Sequence, residues 1–104
     1  MEEKITITLA QLNPKVGDVS GNADLLRAAR AEAAQVGSDL VVASELFLCG
    51  YPPEDLVMKR AFVSYIKNVA DQLVAETADG GPAYIFGLPY EEDGSLYNSV
   101  MVAE

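Results

Sequence analysis

Ile5, Ile7 and Leu9 alternate with Thr6, Thr8 and Ala10, a period of two that predicts an opening strand with one strongly apolar face. Asn13-Pro14, Gly17-Asp18 and Ser20-Gly21-Asn22 then break the alternation and mark a loop. Beyond them Leu25, Leu26, Ala29, Ala33 and Val36 recur at helical spacing on an alanine-rich background. Ser20 or Asn22 is expected as the N-cap of that helix, and Gly37 suits the left-handed position after its end. Asp39-Leu40-Val41-Val42-Ala43-Ser44 shows no polar alternation and predicts a second strand covered on both faces. After the Pro52-Pro53 break, Phe62, Ile66, Val69 or Ala70, and Leu73 line one side of a helix from about Lys59 to Thr77, stopped by Gly80-Gly81-Pro82. Ala83 to Leu88 and Tyr97 to Ala103 read as two further strands, joined by a hairpin-like turn around Asp93-Gly94.

The order is therefore β-α-β-α-β-β. Helices between the first three strands imply crossover connections and an α/β layered fold. A final strand rich in Val100, Met101 and Val102 calls for a cover that nothing up to Glu104 supplies, so residues 1–104 are expected to be the front portion of a larger domain. With 104 residues and 50% hydrophobic content the chain is long enough to bury a core.

Charge and residue types narrow the chemistry. A formal charge of -9, from 16 acidic against 7 basic residues, argues against a nucleic-acid or anionic-membrane partner. The single cysteine cannot form an internal disulfide, Met-Glu-Glu-Lys does not open a signal peptide, and no run is long enough to span a bilayer, which makes the cytoplasm the expected compartment. Histidine is absent, so Ser-His and Cys-His pairs are excluded and the commonest zinc ligand is missing. Glu91-Glu92-Asp93 lacks the alternating acidic pattern of a calcium loop and reads as a solvated turn.

Glu45 is the most informative residue. It ends the apolar run of the second strand, where Gly50 to Pro53 cannot continue it, and Leu46-Phe47-Leu48 follow it directly. Apolar neighbours on both sides imply a partly desolvated carboxylate, and such a group calls for a cation, a hydrogen-bond donor or a proton. A strand-end glutamate that meets solvent or caps a helix is the plainer alternative. Cys49, the lone thiol nearby, is expected to act as a small apolar side chain. Glu54 and Asp55 follow Pro53 where a helical turn can begin, and they suit its positive end.

These segments resemble the carbon-nitrogen hydrolase, or nitrilase-like, superfamily, in which Glu-Leu follows an apolar strand and leads to Gly-Tyr. Gly50-Tyr51-Pro52-Pro53-Glu54-Asp55-Leu56 resembles one branch of it, the glutaminase domains of glutamine-dependent NAD synthetases. Ala10-Gln11-Leu12-Asn13-Pro14, Val16-Gly17-Asp18, Gly21-Asn22, Gly87-Leu88-Pro89 and Tyr97-Asn98-Ser99 agree with that branch. The resemblance implies the opening strands and helices of an αββα sandwich and amide hydrolysis by a Glu-Lys-Cys triad. By it Glu45 is the general base and proton acceptor, Tyr51 helps shape the substrate pocket, and the lysine and nucleophilic cysteine lie on segments later than residue 103. Lys59 and Lys67 do not match the family lysine and are expected on a solvated helix face. Ser44 stands where many members have proline, a departure that changes no reacting group.

For the complete enzyme the resemblance implies glutamine as substrate, with ammonia released for the ATP-dependent amidation of deamido-NAD to NAD. ATP and magnesium would serve the absent synthetase half, and no metal or cofactor is expected in residues 1–104. It further implies a homo-oligomer, and a chain that is inactive by itself. Two other readings remain open at this level: another carbon-nitrogen hydrolase resembling an omega-amidase, and a non-catalytic α/β binding module in which Glu45 merely ends a strand.

Overall fold

The computed structural model describes residues 3–104. In chain order it contains β1 (Ile7–Leu9), α1 (Val19–Gln35), β2 (Leu40–Val42), a 3-10 turn at Glu54–Met58, α2 (Arg60–Glu76), a second 3-10 turn at Thr77–Asp79, β3 (Ala83–Glu92) and β4 (Ser95–Ala103). The expected order of strands and helices is therefore the observed one. They build a four-stranded sheet in the order β1-β2-β3-β4. The first three strands are parallel, as crossovers through helices require, and β4 returns antiparallel to β3. Asp93 (φ 51°) and Gly94 (φ 82°) make the hairpin turn, both in the left-handed region that a tight two-residue connection demands.

Both helices pack on one face of the sheet. Leu26 and Ala33 of α1 and Ile66, Ala70 and Leu73 of α2 form one buried cluster with Val41, Tyr84, Phe86, Leu88 and Ala103. Burial of each large apolar side chain stabilises by about 1.5–3 kcal/mol, so this single layer of contacts carries the fold. Charged groups fasten the helices along their rim. The Arg27 guanidinium grips Glu76 with contacts at 2.9 Å, which raises its already high pKa. Arg30 is nearly buried: Nε donates to the Pro82 carbonyl at 2.6 Å, the two terminal nitrogens hold Asp79 at 3.0 and 2.7 Å, and the guanidinium lies 5.4 Å from the centre of the Tyr84 ring. Those bonds, with a backbone N–H from Gly81, hold the Asp79 carboxyl down to about 2.

The opposite face is open. Register places Leu9, Val42, Ile85 and Val102 in one row, and alternation adds Ile5, Ile7 and Val100 to the same side. Leu9 is 71% exposed, Val100 64% and Val102 62%. The apolar face of β1 thus points away from the helices, which receive Thr8 instead. Likewise β2 is covered on one side only: Val41 is buried, whereas Leu40 and Val42 are half-buried. A period of two identifies a face without saying which layer meets it, and that is why the expectation of full cover on β2 fails.

One helix-end expectation also changes. The helix begins at Val19, capped by Asp18, whose side chain accepts from the Gly21 amide at 3.0 Å. Ser20 and Asn22 lie inside the first turn, and Asn22 is buried for another purpose. Gly37 adopts the expected left-handed conformation (φ 75°). Glu54 and Asp55 occupy the first turn of the short 3-10 segment and make no side-chain cap bond there.

Candidate active site

The hydrogen-bond ladder of β2 runs past the regular strand. Ala43 N–H donates to the Ile85 carbonyl at 2.8 Å and Gly87 N–H to the Ser44 carbonyl at 3.3 Å. The chain then turns sharply: Phe47 N–H reaches back to Ser44 at 3.3 Å, Leu48 N–H donates to the Gly87 carbonyl at 3.1 Å, and Leu46 takes a positive φ of 50°. This turn lies directly on β3. A Cβ added at Gly87 would stand 2.9 Å from both the Glu45 carbonyl carbon and the Ser44 oxygen, and closer still to the Leu46 amide nitrogen. Glycine is needed there because backbone, not a movable side chain, occupies the space.

Directions diverge within the turn. Phe47, Leu48 and Cys49 are fully buried, while the Glu45 side chain emerges on the open face. There Asn98 Nδ2 donates to Glu45 Oε2 at 2.7 Å, a bond across 53 residues of sequence. Asn98 sits on β4 opposite Pro89, on the same face as Val100 and Val102. The expectation of a partly desolvated carboxylate is corrected: Glu45 is exposed, because the apolar residues after it turn under the helices and leave its own side chain on the uncovered side. Of the partners expected for such a group, the structure supplies a hydrogen-bond donor.

The floor of the turn is tied to the loop after β1. Asn22, buried in the first turn of α1, donates to the carbonyls of Lys15 (2.9 Å) and Leu48 (3.1 Å) and accepts from Lys15 N–H at 2.8 Å. Gly17 N–H donates to the Cys49 carbonyl at 2.9 Å, and Gly50 (φ 82°) lies so near Val16 that an added Cβ would be 2.6 Å from its Cα. Cys49 fills this junction. Its thiol contacts the Leu46 and Gly50 carbonyls at 3.4 and 3.3 Å, and burial pushes its pKa up, the opposite of what an activated nucleophile needs. Tyr51, just beyond, is 63% exposed. Lys59 and Lys67 are exposed on the α2 side of the molecule, with Lys67 Nζ 5.9 Å from the centre of the Tyr90 ring. Glu91, Glu92 and Asp93 are exposed at the hairpin tip.

The sequence pattern places Glu45 at the strand end but gives no role to Gly87 or Asn98, and offers Asn22 only as a helix cap. A glycine within an apolar strand is a known sign of close backbone approach, and Gly87 carried that sign. Asn98 and Asn22 carried none beyond their place in short motifs.

The strand-end carboxylate, the turn packed on Gly87 and the helix-covered parallel strands coincide with a family match over residues 6–104, to the carbon-nitrogen hydrolases. The chain belongs to that family. Its similarity reaches particular members. The glutamine-dependent NAD(+) synthetase of Rhodobacter capsulatus is 41% identical over 99 residues, covering 95% of this chain and 18% of that protein. The Thermotoga maritima synthetase is 36% identical over 102 residues, covering 98% and 18%. Among solved structures, a glutamine-dependent NAD(+) synthetase from Cytophaga hutchinsonii superposes with a TM-score of 0.88 at 25% identity, over 98% of this chain and 17% of that one. An amidase from Nesterenkonia sp. gives 0.82 at 26% identity, over 96% and 38%. The chain therefore spans about 18% of the length of the curated relatives it matches.

Proposed function

We propose that this chain is the N-terminal part of the glutaminase domain of a glutamine-dependent NAD synthetase, with Glu45 as its general base. The observation that carries the proposal is the Glu45 carboxylate, held at the end of β2 by Asn98, in a chain whose similarity to such synthetases extends over nearly its whole length. The chemistry follows from what a carboxylate can do. A cysteine thiol supplied by a later segment attacks the side-chain amide carbon of glutamine while Glu45 takes its proton. A lysine from the same later region stabilises the oxyanion, Glu45 gives the proton to the departing nitrogen so that ammonia leaves, and the freed carboxylate then draws a proton from water as it attacks the thioester, returning it to the leaving thiolate as glutamate is released. Tyr51, exposed beside Gly50, would border the substrate.

Ammonia would pass to an ATP-dependent half that converts deamido-NAD to NAD in a cytoplasmic homo-oligomer. ATP and magnesium would serve that half; among the described residues of this chain no group of three or more His, Cys, Asp or Glu side chains is placed to hold a metal ion. No helix of the described residues is long and apolar enough to cross a membrane. The likeness to the Nesterenkonia amidase favours one other reading, amide hydrolysis uncoupled from ATP.

One set of measurements separates these readings. In the full-length protein, Glu45→Gln is expected to abolish NAD formation from glutamine and to spare NAD formation from added ammonia. Equal loss with both nitrogen donors would refute the general-base assignment, and amide hydrolysis with no ATP-dependent NAD formation would identify the simple amidase. The 104-residue chain by itself should release no glutamate from glutamine.

A further inference from the structure

We infer that Asn98 is the positioning residue for the general base, fixing which oxygen of Glu45 is free to take the proton; the inference rests on the general-base reading of Glu45. An ionised carboxylate offers only acceptor atoms, and Asn98 meets one of them with an amide N–H at 2.7 Å. That occupies Oε2 and leaves Oε1 as the unbonded oxygen. The turn that carries Glu45 follows β2 and Asn98 lies on β4, and these strands are not neighbours, since β3 runs between them. Glu45 reaches Asn98 by crossing β3 at Gly87, the one position where the open face carries no side chain beneath the turn. Asn98 stands diagonally across the ladder from Gly87, opposite Pro89, so its amide projects to the side from which Glu45 arrives. Without this bond an exposed glutamate on an open surface keeps three rotatable side-chain torsions, and little else in the described residues restrains them. Catalysis by proton transfer needs a base held to within a fraction of an ångström, and ordering it beforehand removes that cost from the reaction step.

The test compares Glu45→Gln, Asn98→Ala and Asn98→Asp in the full-length enzyme, reading kcat and KM with glutamine and the rate with ammonia. Asn98→Ala should lower kcat with glutamine by about 10²-fold, with KM and the ammonia-driven rate unchanged. Asn98→Asp has the same shape but removes the donor and sets a second carboxylate against the first, so its kcat should fall at least as far. If Asn98→Ala does not fold, the isosteric variant decides alone, through loss of glutamine turnover with the ammonia-driven rate retained. The inference is overturned if Asn98→Asp is the more active of the two, as a packing role requires, or if only KM changes, as a substrate contact requires. Glutamine turnover by Glu45→Gln at the wild-type rate would remove the general-base reading and this inference together. Inactive Glu45→Gln beside fully active Asn98 variants would remove this inference alone.

Discussion

Gly87→Ala is the sharpest probe of how the site is built. The new methyl group points to the open face, into the turn that carries Glu45, where the Glu45 carbonyl carbon and the Ser44 oxygen each lie 2.9 Å away against an ordinary contact of 3.4–4 Å. Relief requires the turn to lift by roughly 0.5 Å at these atoms, and further at Leu46, since none of them can rotate aside. Two backbone bonds oppose that movement, Gly87 N–H to Ser44 at 3.3 Å and Leu48 N–H to Gly87 at 3.1 Å. Overpacking of this kind costs about 1–3 kcal/mol. The same lift carries Glu45 off Asn98, and displacement of a reacting group by an ångström lowers rate by about 10²-fold. Urea unfolding and glutamine turnover of the full-length enzyme should therefore both fall, with ammonia-driven NAD formation preserved. Gly37→Ala is the control: its φ of 75° makes it strained, but its Cβ meets nothing within 4 Å, so stability should drop without loss of glutamine turnover. A Gly87→Ala enzyme with unchanged stability and unchanged glutamine turnover would refute this account of the site.

Asn22→Ala should lower the free energy of urea unfolding by about 2–3 kcal/mol, because it leaves backbone groups of Lys15 and Leu48 without their partner; a loss under about 0.5 kcal/mol would refute the tether. Asp79 is held down to about 2 by Arg30, so its stabilising effect is complete above pH about 4 and disappears as pH falls through about 2. In thermal melts across that window, Asp79→Asn should flatten the acid limb, and an unaltered limb would show that the pair does not contribute. Cys49→Ser should keep glutamine turnover within about two-fold, since the thiol serves packing, whereas abolition would make it a reacting group.

Period and punctuation were enough to place every strand and both long helices, because alternating Ile5-Ile7-Leu9 and the spaced apolar residues of Phe62 to Leu73 leave few other options. The strand-end position of Glu45 was equally plain. What the pattern could not convey was direction. Ile7 and Leu9 announce an apolar face, yet only the crossover geometry decides that the helices take the other side. Leu46-Phe47-Leu48 gave the same false impression of a buried carboxylate, since adjacent residues in a tight turn face opposite layers. Asn22 looked like a cap because asparagine near a helix start usually is one, and Asp18 took that role by lying four residues earlier. Asn98 was invisible as a partner of Glu45, because contacts between distant residues leave no trace in local sequence.

The bond between residues 45 and 98 also sets an order of events. Chains emerge from the ribosome N-terminus first, so β1, α1, β2 and α2 are available to fold while β4 is still unmade. The carboxylate is therefore born loose. Its restraint arrives with the hairpin, a local element that closes on a microsecond timescale once Asp93-Gly94 and β4 have been added, and whose arrival ties the turn after β2 to the far edge of the sheet.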